Sequence, residues 1–169
     1  MNAEQLKALQ APLKERFRQE PSAAQATLRA AGVINLAEIA VDLVRPAGAA
    51  CTPGLHPLAG GNGQYACAAE MLLEALIGCA GVTFAAVRTA MSLSIDRAEI
   101  EAEGDVDFRG TLGVDRSTPV GFTRVHVTFR IVGEATAEQL DKAVQLAERY
   151  CVVAQTLKSV TVGWTRLDG

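Results

Sequence analysis

The chain has 169 residues, a formal net charge of −3, 49% hydrophobic residues and only 5% aromatic ones. That length suits one domain with enough apolar content for a core. The acidic balance argues against nucleic acid or an anionic membrane as partner, and the shortage of aromatics argues against base-stacking platforms. Disordered and collagen-like compositions are excluded by the same figures, which leaves a compact soluble protein carrying four cysteines.

The first thirty residues predict helices. Asn2 can cap one, with Gln5 three residues later, and Leu6, Leu9, Leu13 and Phe17 recur at helical spacing. Pro12 is expected to kink or interrupt it. A second helix is predicted from Pro21-Ser22, with Gln25 completing a capping-box pattern and Gly32 as the stop. Residues 1–33 therefore read as a helical extension and 34–169 as the main domain. The N-terminus shows no basic segment followed by an apolar run, so a reducing cytoplasm is the expected location.

Residues 34–45 read as a strand, with Ile39, Val41 and Leu43 on one face and Asp42 on the other. A long loop rich in glycine and proline follows, from Pro46 to Tyr65, in which His56 before Pro57 shapes the chain. Residues 68–91 are too long for a buried strand and predict a helix. At 100° per residue, Glu70, Glu74 and Arg88 fall within about 40° of one another, a polar stripe that argues against a membrane span. Cys79 points to the opposite side, and Gly78 and Gly81 should let another element approach beside it.

Two strands with one wet face come next. Ala98, Ile100 and Ala102 alternate with charged residues, and Val125, Val127, Phe129 and Ile131 alternate with polar ones that include His126. Thr136 and Gln139 open a helix that runs to about Tyr150. A short helix is expected from Val152 to Lys158, and Val160, Val162 and Trp164 make a closing strand. The order of elements is that of an α+β domain.

The thiols are Cys51, Cys67, Cys79 and Cys151, with no CxxC pair and two widely separated histidines, so a structural zinc site has little support. Cys79 lies in an apolar setting, which raises a thiol pKa unless a donor or cation is near. Cys151 is the better thiolate candidate on local grounds, because it sits where one helix ends and another begins. Cys67 is a candidate auxiliary thiol and Cys51 a bystander. Spacing alone leaves open whether Cys79 and Cys151 meet.

Met71-Leu-Leu-Glu-Ala-Leu-Ile-Gly-Cys79-Ala-Gly-Val-Thr83 resembles the central cysteine helix of the OsmC/Ohr family, and Cys151-Val-Val-Ala-Gln-Thr-Leu157 resembles its second cysteine motif. Gly60-Gly61-Asn62-Gly63 is similar to that family's glycine-rich approach to the helix. The resemblance covers about residues 34–167, and the lead-in is similar to an extension in one branch. It implies an intertwined homodimer, with long central helices on curved antiparallel sheets. It also implies a thiol-dependent, peroxiredoxin-like organic hydroperoxide reductase. Cys79 would attack the peroxide and Cys151 would resolve the product as a disulfide, with an external dithiol or lipoyl-type reductant and no metal, flavin or haem. In the family's peroxidases a glutamate paired with an arginine activates the first thiol; here Ala69 stands at the glutamate position, beside Glu70, and Arg45 and Arg109 are the candidate arginines. Val152 replaces a common proline. The alternative function is a dimeric redox-sensing or apolar-ligand-binding protein with little turnover.

Overall fold

The computed structural model describes residues 3–37, 40–44, 53–157 and 160–168. Ile39, Arg45, Cys51 and the first part of the expected long loop lie outside the described residues. The described chain forms α1 (Ala3–Gln19), β1 (Gln25–Asn35), β2 (Ala40–Val44), β3 (Pro53–Gly54), β4 (Ala66–Cys67), α2 (Ala68–Ala90) and β5 (Ile95–Asp107). It continues with α3 (Phe108–Thr111), β6 (Arg124–Gly133), α4 (Ala137–Tyr150), α5 (Val152–Thr156) and β7 (Val160–Arg166). This is an α+β fold whose main sheet has the order β2-β1-β5-β6-β7.

Side-chain ladders give the sheet its directions. Thr27 bonds Asp105 and Arg29 bonds Glu103, so numbers rise on β1 as they fall on β5. Arg124 pairs with Asp105 and Arg130 with Glu101, which makes β5 and β6 antiparallel too. β1 and β2 are antiparallel, with Ile34 opposite Val41. Only β7 runs parallel to its neighbour among these pairs, Val127 facing Val162. A parallel pair needs a crossover rather than a hairpin, and α4 and α5 supply it.

By packing, the described residues form two compact units, one of 3–28, 53–71 and 104–124, the other of 29–37, 40–44, 72–103, 125–157 and 160–168. In the second, Leu73, Leu76, Ile77 and Phe84 of α2 are fully buried, as are Phe129, Ile131 and Leu140. Phe84 stacks on Phe129 at 4.7 Å between ring centres, which fixes α2 on the sheet through a contact worth more than its buried area. A Cβ on Gly81 would lie 2.5 Å from a Val41 methyl, so only glycine lets α2 and β2 approach this closely. Gly78 faces open space and plays no such part, against the expectation.

The first unit holds α1, the 3-10 turns Pro21–Ala24 and Pro57–Ala59, and α3. Gln10 of α1 donates to the Ala59 carbonyl at 3.1 Å, and His56 stacks on Phe108 at 4.7 Å. α1 runs continuously through Pro12, against the expected interruption. The carbonyl that loses its partner there belongs to the exposed Ala8, where water can replace the missing N–H.

The predicted second helix is corrected. Residues 21–24 form a 3-10 turn and Gln25–Asn35 the strand β1. Leu28, Ala30 and Ile34 are buried while Thr27, Arg29 and Val33 face out, a period of two that overrides the helical propensity of an alanine-rich stretch. The expected boundary at residue 33 falls inside this strand. The expected strand 34–45 is likewise divided, by a turn after Asn35. α2, β5, β6, α4, α5 and β7 follow the sequence reading, while β3 and α3 form where a loop and a connection are expected. β5 and β6 bury Ala98, Ile100, Ala102, Val125, Val127, Phe129 and Ile131, and Thr136 and Gln139 make both bonds of the capping box, at 3.2 and 2.9 Å.

His56 caps its 3-10 turn: its Nδ1 accepts the Leu58 N–H at 3.1 Å and so must be unprotonated. Burial holds its pKa below the usual 6.5, with Glu70 pulling the other way. The folded state therefore binds this proton less readily than the unfolded one, and the stability it contributes is present above pH 6.5 and lost as the pH falls below it. Thermal melts should show a loss of stability just below pH 6.5 that is smaller in His56→Asn, which keeps an uncharged acceptor at the cap. Identical pH profiles for the two proteins would assign the loss to other groups.

Candidate active site

The site begins with a break in the chain. α4 ends at Tyr150 and α5 starts at Val152, and between them Cys151 adopts an extended conformation (φ −77°, ψ 108°). Its N–H still bonds the Glu148 carbonyl at 3.3 Å, and its own carbonyl accepts the Gln155 N–H at 3.0 Å, so both backbone groups of Cys151 are hydrogen-bonded. The Gln155 side chain closes it from outside, donating to the Glu148 carbonyl at 3.0 Å. Cys151 has no exposure at all, and its sulfur accepts the Ala154 N–H at 3.4 Å. Tyr150 and Val152 on either side are exposed.

Cys79, in the middle of α2, meets this break, and both thiols belong to the second unit. Burial alone would raise the Cys79 pKa. Hydrogen bonds from the Val153 N–H, the Cys151 thiol, the Val152 N–H and the Thr83 hydroxyl outweigh it, and the pKa lies below the ordinary value of 9.0. Thr83 has a single hydroxyl hydrogen, which the geometry also offers to the Cys79 carbonyl at 2.8 Å. It can turn to the sulfur when that carries charge. Cys151 moves the opposite way, to about 11, first through burial and then through the neighbouring Cys79. The site thus holds one thiol disposed to ionise beside one held protonated.

This corrects the local reading of the sequence. The backbone N–H groups at the start of α5 serve Cys79, on a distant helix, and Cys151 is the poorer thiolate. Thr83, which sequence reasoning passed over as a donor, lies one helical turn beyond Cys79. That spacing is the one signal that could have found it. The donors Val152 and Val153 carry no side-chain signature.

Glu70 is half-buried in the first turn of α2, where its charge acts on His56. Arg109 is clamped by Asp107, with Nε 3.0 Å from both carboxylate oxygens and Nη2 2.6 Å from Oδ2. That guanidinium, ahead of burial, holds the Asp107 carboxyl below its usual range. Glu70, Asp107 and Arg109 all belong to the first unit. Arg45 lies outside the described residues. Cys67 is a buried free thiol of the first unit. Arg88, at the far end of α2, donates to the Ile95 carbonyl at 3.1 Å. His126 bonds Thr161 at 2.7 Å. No group of three or more His, Cys, Asp or Glu side chains that could hold a metal ion occurs among the described residues.

The family model for OsmC-like proteins matches residues 61–165. That span contains both cysteine motifs and Thr83, Val152 and Val153. No curated protein matches the sequence. Among solved structures, an OsmC-like protein of unknown function from Vibrio cholerae superposes with a TM-score of 0.55 at 16% identity, over 76% of this chain and 84% of that one. An OsmC-like protein from Mycoplasma pneumoniae gives 0.52 at 14% identity, over 85% and 96% of the two chains. A hypothetical protein from Aquifex aeolicus VF5 gives 0.50 at 19%, over 81% and 94%. At these identities the solved structures establish the fold, the family model establishes membership, and the chain belongs to the OsmC family.

Proposed function

We propose that this OsmC-like protein is a thiol-dependent peroxidase that reduces organic hydroperoxides to alcohols with Cys79 and Cys151. The observation that carries the reading is that the two thiols come close enough at the α4–α5 break to shift each other's pKa, Cys79 lying below the ordinary 9.0 and Cys151 raised to about 11. The Cys79 thiolate attacks the terminal peroxide oxygen, the O–O bond breaks, and the alkoxide leaves and takes a proton as the alcohol. Cys79 is then a sulfenic acid. Cys151, as thiolate, attacks its sulfur; hydroxide leaves with the Cys151 proton as water, and a disulfide remains. An external dithiol, free or lipoyl-type, reduces the disulfide by exchange and is itself oxidised.

Within one protomer, Leu72 and Val82 of α2 are exposed on the same helix as the thiol, at 39% and 40%, and suit an alkyl substituent better than water. They also support the homodimer. With Val33, Leu43 and Val44 of β1 and β2, and Tyr150 and Val152 beside Cys151, the described residues of the second unit expose seven large apolar side chains, a load that a second copy would bury. A second reading, a redox sensor with slow turnover, draws on a different observation. Among the described residues, the groups that lower the Cys79 pKa are neutral donors: the Val153 and Val152 N–H groups, the Cys151 thiol and the Thr83 hydroxyl.

Two measurements separate these readings. Cumene hydroperoxide should be consumed in a dithiol-dependent way by the unaltered protein and at the uncatalysed rate by Cys79→Ser. Cys151→Ser should complete one turnover and leave a sulfenic acid that dimedone captures at Cys79. Undiminished turnover by Cys79→Ser would remove the proposed nucleophile. Loss of one donor can be tested separately. Thr83→Val should move the midpoint of the pH profile for iodoacetamide alkylation of Cys79 upward and slow peroxide reduction by about 2–10-fold, the worth of one hydrogen bond. An unchanged alkylation profile would show that the hydroxyl serves only the Cys79 carbonyl.

A further inference from the structure

Once the pair is oxidised, a reducing thiol must attack one of two sulfurs, and the choice decides which cysteine carries the mixed disulfide. Two effects oppose each other. Exchange is faster when the departing thiol has the lower pKa. By that criterion Cys79 should leave and Cys151 should be attacked. The incoming sulfur must also approach along the S–S axis from behind the sulfur it attacks. That approach differs sharply between the two. Cys151 is wholly enclosed, and its sulfur is further occupied by the Ala154 N–H at 3.4 Å. The chain on either side is locked by the hydrogen bonds of Cys151 to Glu148 and Gln155. Within one protomer Cys79 keeps partial exposure on α2, whereas Cys151 keeps none.

From this asymmetry we infer that the reductant attacks the sulfur of Cys79 and that Cys151 is the leaving group. The inference rests on the proposed two-cysteine cycle and adds to it the direction of its reductive half. Attack by a thiolate forms a bond from its sulfur to Cys79 and breaks the bond from Cys79 to Cys151. The electron pair of the broken bond goes to Cys151, which takes up a proton as a thiol. A second thiol of a dithiol reductant then attacks the reductant sulfur of the mixed disulfide and releases Cys79 as thiolate; the reductant closes as a cyclic or linear disulfide. Access decides over leaving-group preference, because reaching Cys151 would first require α5 to open. The departing Cys151 also regains the Ala154 N–H without moving. Peroxide and reductant consequently enter by the same opening, to the same sulfur, in alternate half-reactions. The reductant's chemical class is a thiol narrow enough to present its sulfur in line with a partly exposed helix residue.

The test uses a monothiol, so that the mixed disulfide cannot be closed by the reagent itself. The full chain is oxidised with diamide, which forms a dithiol's disulfide without any peroxidase chemistry, and peptide mapping shows the Cys79–Cys151 link. Glutathione is added briefly, the mixture is quenched with acid, free thiols are blocked with N-ethylmaleimide, and the adducts are located by mass spectrometry. Glutathione on Cys79 and maleimide on Cys151, in at least about tenfold excess over the reverse labelling, is the expected result. Glutathione on Cys151 with maleimide on Cys79 would overturn the inference and leave the two-cysteine cycle standing. Failure of diamide to link Cys79 and Cys151 would overturn both. The Gln155→Ala protein provides a second check. Losing the bond to Glu148 loosens the start of α5, so the proportion of glutathione on Cys151 should rise. An unchanged proportion there, with Cys151 already the major site in the parent, would again contradict control by access.

Discussion

The site depends on Cys79 meeting the start of α5, where the Val153 and Val152 N–H groups lower its pKa against the effect of burial. A thiol in the middle of an apolar helix would ordinarily be inert, since burial favours its neutral form. Hydrogen bonds to a charged acceptor are each worth about 1.5–3 kcal/mol, and several converging on one sulfur exceed the penalty of partial burial. Those donors are free because α4 stops and α5 starts afresh, and the first turns of a helix have N–H groups without internal partners. The helices on either side of the break are also the crossover that brings β7 back parallel to β6. Topology and chemistry therefore use one feature of the chain.

The two thiols acquire different properties from the same contact. Cys79 gains donors and stays partly exposed, whereas Cys151 is enclosed and faces a neighbour that carries charge whenever it ionises. A proton shared across them belongs on Cys151. Among the described residues, the donors that lower the Cys79 pKa are neutral, and Arg109 is bound to Asp107. The cost is a thiolate held by neutral dipoles, more modestly stabilised than one beside a guanidinium.

Much of this architecture is legible in the sequence because burial writes itself as periodicity. α2 and the strands β5 and β6 announce themselves by runs whose period leaves a single interpretation, and the box at Thr136 and Gln139 marks the start of α4 to the residue. β1 is misread because alanine and glutamine favour a helix locally, while the decisive alternation of Leu28, Ala30 and Ile34 is carried partly by small side chains. The two cysteines are visible in the sequence, but their relative acidity is not. Helix termini suggest that Cys151 should ionise more readily; the N–H groups reach across to Cys79 instead, a long-range placement that no local pattern encodes. Backbone donors are invisible to residue identity, and Thr83 shows only as a hydroxyl one turn from the sulfur.

The most direct test of the account is a stoichiometric one, on the oxidised product itself. One equivalent of cumene hydroperoxide, added to the reduced protein without a reductant, should yield one equivalent of cumyl alcohol. The same treatment should remove two hydrogens from the intact mass and give a single cross-linked peptide joining Cys79 to Cys151 within one chain. Unaltered thiols after that treatment, or a disulfide formed instead through Cys51 or Cys67, would contradict it.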